Sequence, residues 1–396
     1  MEELLVTVAV LSYRNYRYMH ECVQSILSQD YPRIQLIISD DGSPDFDMDE
    51  ISRFIESNKK GNIEGVFIHQ MEKNGGTSKN FNFALSKAKG KYVKFIAADD
   101  LFYNDKALST LVEAAERENS SVVVARAPNY DMYLERQEWI FPSDKDWNRM
   151  ISAGQKDLFG IMSQYCLISA PSALYNRQFL VEQGGADETY PLIEDWPLWM
   201  KMIRMGKRFT FLNQSTVIYR SGGVSNSKEN AAYAIHQIEY ADVIRNECLP
   251  YKNMFASKKQ YKNAKKSERQ HRHDGIKLLD WKEYSFIQKL LFFLKYLGVY
   301  WDAGMEKVVR PAFWKLECLK RNIMICGVLL IALSIIINVH DIIKIIFREP
   351  FAEMISISTL NGLFGIGMLL FLMSIFLYIL AIAIDFYNSI KYSIFK

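Results

Sequence analysis

Three pairs of carboxylates stand where the chain changes its pattern: Asp40-Asp41, Asp99-Asp100 and Glu194-Asp195. The first closes the apolar run from Ile34 and leads into Gly42-Ser43-Pro44, a turn signature. The second directly follows Tyr92-Val-Lys-Phe-Ile-Ala-Ala, and the third opens the amphipathic stretch Trp196–Met205. One such pair is what a turn or a helix cap ordinarily uses. Three at three element ends suggest a site, because carboxylates at neighbouring strand ends converge and bind a hard divalent cation through oxygen. Such a cation typically bridges a diphosphate and neutralises the charge that develops as it leaves. Histidine and cysteine offer no rival centre. The six histidines (20, 69, 236, 271, 273, 340) lack metal-ligand spacing, and His271 and His273 read as surface residues of a basic stretch. The five cysteines include no CxxC pair, which argues for reduced thiols rather than a disulfide framework or a zinc module.

The pairs need elements to hold them. Over roughly the first 220 residues, short apolar runs alternate with amphipathic stretches, which predicts an α/β sandwich around a mostly parallel sheet. Strands are expected at Leu4–Leu11, Ile34–Ile38, Gly65–His69, Lys91–Ala98 and Ser121–Ala125. Helices are expected at Ser78–Ala88 and Lys106–Glu118, and Met19, Val23, Ile26 and Leu27 mark another buried helical face. The acidic N-terminus enters an apolar run that reads as the first strand rather than as a signal peptide. In open sheets of this kind, ligands sit at the carboxyl ends of strands, near the point where strand order reverses. The acidic pairs fall at such ends.

The remainder has another character. Residues 252–295 carry twelve Lys or Arg against four Asp or Glu, a local net charge of +8. The run from Phe286 to Leu297 interleaves aromatic and basic residues at helical spacing. It reads as a helix lying on anionic lipids, or packing against another subunit of a homo-oligomer. Ile323–Val339 and Leu363–Ile384 carry no charge, and the apolar character of the first continues to Phe347. At ~1.5 Å per residue, about 20 residues cross a ~30 Å hydrocarbon core. A membrane hairpin of two transmembrane helices, at 323–347 and 363–384, is therefore expected. Lys315, Lys320 and Arg321 before it and Lys391 and Lys396 after it place both termini in the cytoplasm, at the plasma membrane. Three segments result: a catalytic domain over 1–226, a helical, basic membrane-interface region over 227–320, and the hairpin over 321–396. Whole-chain figures (396 residues, net charge +3, mean hydropathy −0.08) exclude wholesale disorder, a collagen-like chain and a polytopic membrane protein. They also average the basic stretch against a remainder of net charge −5. No nucleic-acid partner is expected.

The ordered motifs are recognisable. Val6-Thr-Val-Ala-Val-Leu-Ser-Tyr-Arg-Asn, Ser25-Ile-Leu-Ser-Gln-Asp-Tyr and Leu36-Ile-Ile-Ser-Asp-Asp-Gly-Ser begin the series. Asn74-Gly-Gly, Asn80, Lys89-Gly-Lys-Tyr and Ala97-Ala-Asp-Asp continue it. Gly184-Gly-Ala-Asp-Glu, Pro191-Leu-Ile-Glu-Asp-Trp-Pro-Leu-Trp and Tyr219-Arg-Ser-Gly-Gly complete it. Over residues 4 to 226 this set resembles the family-2 nucleotide-sugar glycosyltransferases, which implies the α/β fold called GT-A. The resemblance also implies roles. Ser12, Tyr13, Asp40 and Asp41 would hold the base and ribose of a nucleoside diphosphate sugar, with Asn74 and Asn80 nearby. Asp99 and Asp100 would bind the diphosphate through Mg2+ or Mn2+, Asp99 also touching the donor. Ala97 replaces the first Asp of the common pattern, and Ser221 stands where many relatives have a histidine, so fewer protein oxygens would serve the metal. Asp195 would be the catalytic base and Glu194 its helper, with Trp196 a sugar-stacking platform and Trp199 a core residue. Tyr219–Gly223 reads as a mobile loop from which Arg220 reaches phosphate.

The expected activity is inverting transfer of one sugar to a polyprenyl-diphosphate-linked saccharide, the lipid-linked acceptor of bacterial surface polysaccharide assembly. Such a polysaccharide would be a capsule, an exopolysaccharide or an O-antigen. Transfer to polyprenyl phosphate is the alternative enzyme; its anionic acceptor needs no base. A non-catalytic nucleotide-binding membrane scaffold is the alternative outside enzymes.

Overall fold

Along the first strand, β1 (Val6–Ser12), Val6, Val8 and Val10 face one side of the sheet and Ala9 the other, and all are fully buried. A strand buried on both faces must lie between two layers. The computed structural model, which describes residues 4–207, 209–222, 231–280, 283–296 and 298–299, shows both layers. In chain order, the first half runs α1 (Met19–Leu27), β2 (Ile34–Asp40), α2 (Met48–Asn58), β3 (Ile63–Gln70), α3 (Thr77–Lys87) and β4 (Tyr92–Ala97). Then come β5 (Leu101–Phe102), α4 (Ala107–Glu118), β6 (Val122–Tyr130), β7 (Gln137–Phe141), α5 (Asp144–Ile151) and α6 (Gln155–Met162). Next follow β8 (Ala173–Asn176), α7 (Arg177–Glu182), α8 (Trp196–Arg204), β9 (Thr210–Ser215) and β10 (Val217–Arg220). The helices α9 (Ala231–Val243), α10 (Lys258–Asp280) and α11 (Phe286–Lys295) come last.

The sheet runs in the order β3-β2-β1-β4-β8-β6-β10-β5, with β7 and β9 also paired to β6. Its first four strands are parallel, as the alternation predicts. Beyond β4 the sheet is mixed: β8 is antiparallel to both β4 and β6. Strand order reverses at β1, which has β2 on one side and β4 on the other. The carboxyl ends of these three strands carry Ser12, Asp40 and, two residues past β4, Asp99. Helices α1, α2 and α4 cover one face, with Met19, Ile51 and Leu111 against Val8 and Ile38. Helices α3, α6 and α8 cover the other, with Phe81, Phe159 and Trp199 against Ala9 and Ile37. Burying each such side chain contributes about 1.5–3 kcal/mol.

Two compact units divide the chain, one ending at Tyr284 and one beginning at Ser285. In the first, α10 packs along α9 and buries Ala264, Glu268 and His273. His273, expected at the surface, is only 4% exposed and pairs with Asp274 at 2.8 Å. In the second, α11 opens with a capping box between Ser285 and Gln288. Among the described residues no helix is long and apolar enough to cross a membrane. The spans expected at 323–347 and 363–384 lie outside the described residues.

Candidate active site

The turn after β2 is built by its own aspartates. Asp40 is fully buried and accepts from the Ser12 hydroxyl (2.6 Å), the Ser43 hydroxyl (2.7 Å) and the Ser43 amide (2.6 Å). Ser12 and Asp40 therefore lie beneath the turn as supports rather than on it. Asp41 accepts from the amides of Gly75 (2.7 Å) and Gly76 (2.8 Å), and burial raises its pKa against those two bonds. Gly76 has φ +92°, and a Cβ there would lie 2.7 Å from the carbonyl oxygen of Pro191. The start of α3, which Asp41 holds to the turn after β2, thus abuts the loop that carries Glu194 and Asp195. The Ser78 hydroxyl reinforces this by donating to the carbonyl of Tyr190 at 2.5 Å.

Around the turn, Tyr13 is 37% exposed, with the Arg14 guanidinium 5.3 Å from its ring centre, and Asn74 is exposed. Asn80 lies elsewhere. It is buried and exchanges two hydrogen bonds with Ser39, which fasten α3 to β2. That placement gives Asn80 a packing role in place of the expected contact with the donor.

The Asp99-Asp100 turn is fastened from three directions. The Asn15 amide donates to Asp99 Oδ1 at 3.1 Å, which ties the pair to the loop after β1. The Arg220 backbone amide donates to Asp100 Oδ1 at 3.0 Å, and its Nε donates to the Asp99 carbonyl at 2.9 Å. The rest of that guanidinium reaches the Met132 carbonyl (2.8 Å) and Glu21 (2.6 Å) and lies over the Tyr18 ring. Arg220 is 4% exposed and ends strand β10 rather than standing in a loop. Its charge is thus spent within the protein, which corrects the expected contact with phosphate: Arg220 is a clamp. Ser221 leaves β10 with its hydroxyl on Asn129 at 2.6 Å, and Gly223 lies outside the described residues.

Among the described residues, Asp100 Oδ2 is buried without a hydrogen-bond partner. A carboxylate oxygen left in that state is costly, and a cation satisfies it. Among the described residues, no group of three or more His, Cys, Asp or Glu is arranged to hold a metal ion. Two carboxylates still suit Mg2+ or a similar ion, which keeps several waters and takes its other oxygens from phosphates. Burial, then the neighbouring Asp99 charge, pushes the Asp100 carboxyl well above the usual range; Lys94 and Arg220 oppose this. Lys94 is itself fully buried, donates to the carbonyls of Phe95 (3.1 Å) and Pro171, and is pulled down by burial to about 7.

Glu194 and Asp195 are both partly exposed, at the start of α8. Asp195 caps that helix by accepting from the Trp196 amide at 2.6 Å, and the Cys166 thiol lies 3.7 Å from its other oxygen. Burial raises both carboxyls. Glu194 rises to about 8, with the Asp195 charge adding to the effect. Asp195 stops at about 6, because the Trp196 amide stabilises its anion. Of the two, Glu194 therefore holds its proton the more tightly and Asp195 the more readily ionises, an acid and a base side by side. Trp196 is 1% exposed, donates to the Met162 carbonyl at 2.9 Å and meets Tyr240 edge-on. An indole so enclosed offers no face to a sugar, which corrects the stacking expectation. Trp199 is a core residue as expected, stacked on Tyr175.

Several residues at the site carry no signal of their own in the sequence. Glu21 and Met132 become partners of Arg220 only through tertiary structure, and Cys166 meets Asp195 across 29 residues. Glu239, on α9, accepts from the Leu192 amide at 2.9 Å, two residues before Glu194.

Residues 7–180 match the family described as Glycosyl transferase family 2. Glycosyltransferase GlyG of Streptococcus pneumoniae is 32% identical over 127 residues, 32% of this chain and 40% of that protein. The UDP-Glc:alpha-D-GlcNAc-diphosphoundecaprenol beta-1,3-glucosyltransferase WfaP of Escherichia coli is 27% identical over 231 residues, 57% of this chain and 81% of that protein. The crystal structure of S. aureus TarS 1-349 in complex with UDP-GlcNAc superposes with a TM-score of 0.48 at 17% identity. That superposition covers 74% of this chain and 80% of that one. The chain spans less than half the length of the first three curated relatives it matches: 40%, 28% and 41%.

Proposed function

With residues 7–180 belonging to glycosyltransferase family 2, we propose that the chain transfers one sugar from a nucleoside diphosphate sugar to a hydroxyl of a polyprenyl-diphosphate-linked saccharide. The observation that carries this reading is the convergence of the three acidic pairs. Asp40 joins β2 to Ser12 of β1, Asn15 joins the loop after β1 to Asp99, and Asp41 holds Gly76 against Pro191. A donor laid along this path has its base and ribose at Tyr13, Asp41 and Asn74. Its diphosphate falls at Asp99 and Asp100, and its sugar points toward Glu194 and Asp195.

Asp99 and Asp100 would hold Mg2+ or Mn2+, which supplies charge neutralisation for the departing diphosphate. The remaining work falls to the chain. An acceptor hydroxyl has a pKa far above neutral, so an ionised carboxylate within ~3 Å must take its proton as attack proceeds. Asp195 is the ionised member of its pair, and Glu194 keeps a proton with which to orient the acceptor oxygen. Attack from the face opposite the diphosphate inverts the anomeric centre. The lipid-linked acceptor accords with the hairpin expected at 321–396, which would confine enzyme and acceptor to one membrane with the site on the cytoplasmic side. WfaP, whose name specifies a diphosphoundecaprenol-linked acceptor, supports the same class for this chain.

The test uses the full chain purified in detergent. A panel of nucleotide sugars is screened for Mg2+- or Mn2+-dependent turnover, first by hydrolysis and then with a polyprenyl-diphosphate saccharide. The expected product is one sugar longer with inverted configuration, and D99N, D100N and D195N should each reduce its formation by roughly 10²-fold or more. If D195N turns over at the native rate with polyprenyl phosphate as acceptor, the reading is wrong and the anionic acceptor is the substrate.

A further inference from the structure

Helix α9 lies beyond the segment that matches the family, yet its C-terminal end and the turn after it hold the carboxylate loop. At one end, Asn246, just past α9, donates to the Tyr190 hydroxyl at 3.2 Å. Nearer its C-terminal end, the Glu239 carboxylate receives the Leu192 amide at 2.9 Å, and the neighbouring Ile193 amide helps to stabilise its anion. Tyr240 then meets the Trp196 indole edge-on, with ring centres 5.2 Å apart. Beyond the helix, Glu247 pairs with Arg204, the last residue of α8, at 2.6 Å. Of these contacts, the one at Glu239 lies nearest the chemistry. It fixes the backbone at Leu192, two residues before Glu194, and the Glu239 side chain is 7% exposed.

We propose that Glu239 is a positioning residue, which sets the placement of Glu194 and Asp195 by gripping the backbone before them and presenting a carboxylate to Glu194. This rests on Asp195 being the base. A buried carboxylate spent on two amides costs more than a neutral side chain would, unless its charge or its geometry is used. Burial lifts Glu239 to about 7, with its two amide partners opposing, and the Glu239 charge in turn raises Glu194. The groups around it are few. Glu194 faces it from the loop, and Asp242 from its own helix. Asp242 is countered from α10 by Arg272 at 2.7 Å, which also pairs with Glu268. His236 on α9 is pushed down to about 4 by burial and His271 on α10 is also lowered, so neither brings a positive charge at neutral pH.

Two measurements on the full chain test this without requiring turnover. Amide hydrogen exchange over residues 190–196 should run about tenfold faster in E239A, the opening expected when a charged acceptor is removed. E239Q, which keeps a carbonyl acceptor, should stay near the native rate. An infrared pH titration then follows the protonated-carboxyl band that E194Q abolishes. In E239Q its midpoint should fall by roughly half a pH unit, because a like charge has gone. A residue that merely filled space would leave that midpoint where it is. Unchanged exchange in E239A, or an unmoved midpoint in E239Q, overturns the proposal. If the native chain shows no sugar transfer with any donor, the functional reading fails while both readouts on Glu239 still decide this one.

Discussion

At the scale of single residues, the separation of Glu194 from Asp195 makes the sharpest prediction. The base must be ionised and its partner protonated, so the rate should fall below about pH 6 and again above about pH 8. E194Q should remove the alkaline limb and leave the acid one. D195N should cut kcat by roughly 10²–10⁴-fold while donor binding persists, because a base acts in the transition state. Arg220 yields a second test. R220K keeps the charge but loses the fork that reaches Asp99, Met132 and Glu21 together. It should cost about 1–3 kcal/mol in urea unfolding, from carbonyls left without partners, and weaken metal-dependent donor binding. The ion pair with Glu21, whose side chain is 52% exposed, contributes little of that. A simple phosphate ligand would tolerate the change to lysine. These residues also show what the sequence could convey. The acidic pairs were legible because residue type and element end coincide there. The direction of the Arg220 guanidinium and the enclosure of Trp196 were not, since both are decided by partners more than 30 residues away.

At the scale of elements, the site depends on backbone that only glycine can supply. Gly42 has φ +76° with a Cβ position 2.8 Å from the Lys73 carbonyl carbon, and Gly76 has φ +92° against Pro191. In both cases the obstruction is backbone, which does not yield as a flexible side chain does. G76A should therefore cost about 1–3 kcal/mol and lower turnover beyond that loss, because it pushes the Pro191 loop away from the start of α3. Chemical unfolding and kcat, measured on one preparation, check the two parts. The parallel half of the sheet was legible in the runs from Leu4, Ile34 and Lys91, since strands buried on both faces read as largely apolar segments. The half-buried edge strand from Gly65 was legible by its Val-Phe-Ile core. Helix α2 was readable but unread: Asp47 accepts from the Glu50 amide, an acidic N-cap three residues before a Glu, and Ile51 and Ile55 form the buried face. Strand β8, four residues long and antiparallel between β4 and β6, gives no comparable signal. Its place comes from tertiary pairing alone.

At the scale of the molecule, gathering these carboxyls has a cost that pH should reveal. Asp41, Asp99, Asp100, Glu194, Asp195 and Glu239 all have raised pKa values, with burial the leading cause in each. Each therefore binds its proton more tightly in the folded chain than in the unfolded one. The stability this confers is complete below the unfolded carboxyl value of about 4 and disappears as pH rises through the folded values. For Asp195, Glu239 and Glu194 those values are about 6, 7 and 8. Buried Lys94 acts in the opposite direction, but only above its folded value of about 7, where the folded chain sheds a proton that the unfolded chain keeps. Between pH 5 and 7 the carboxyls thus act with little opposition from it. In a chelating buffer the Tm should fall across that interval, by a loss of about 2 kcal/mol for each carboxyl whose folded value lies at 7 or above. The double variant E194Q/D195N should flatten the fall, since it removes the two groups that titrate at the catalytic pair. Mn2+ with a nucleoside diphosphate should recover only the part owed to Asp99 and Asp100, leaving the slope from Glu194 and Asp195 in place. A Tm that stays level from pH 5 to 7 in the native chain would mean that the site carries no such charge crowding. The acid–base division between Glu194 and Asp195 would then lose its physical basis.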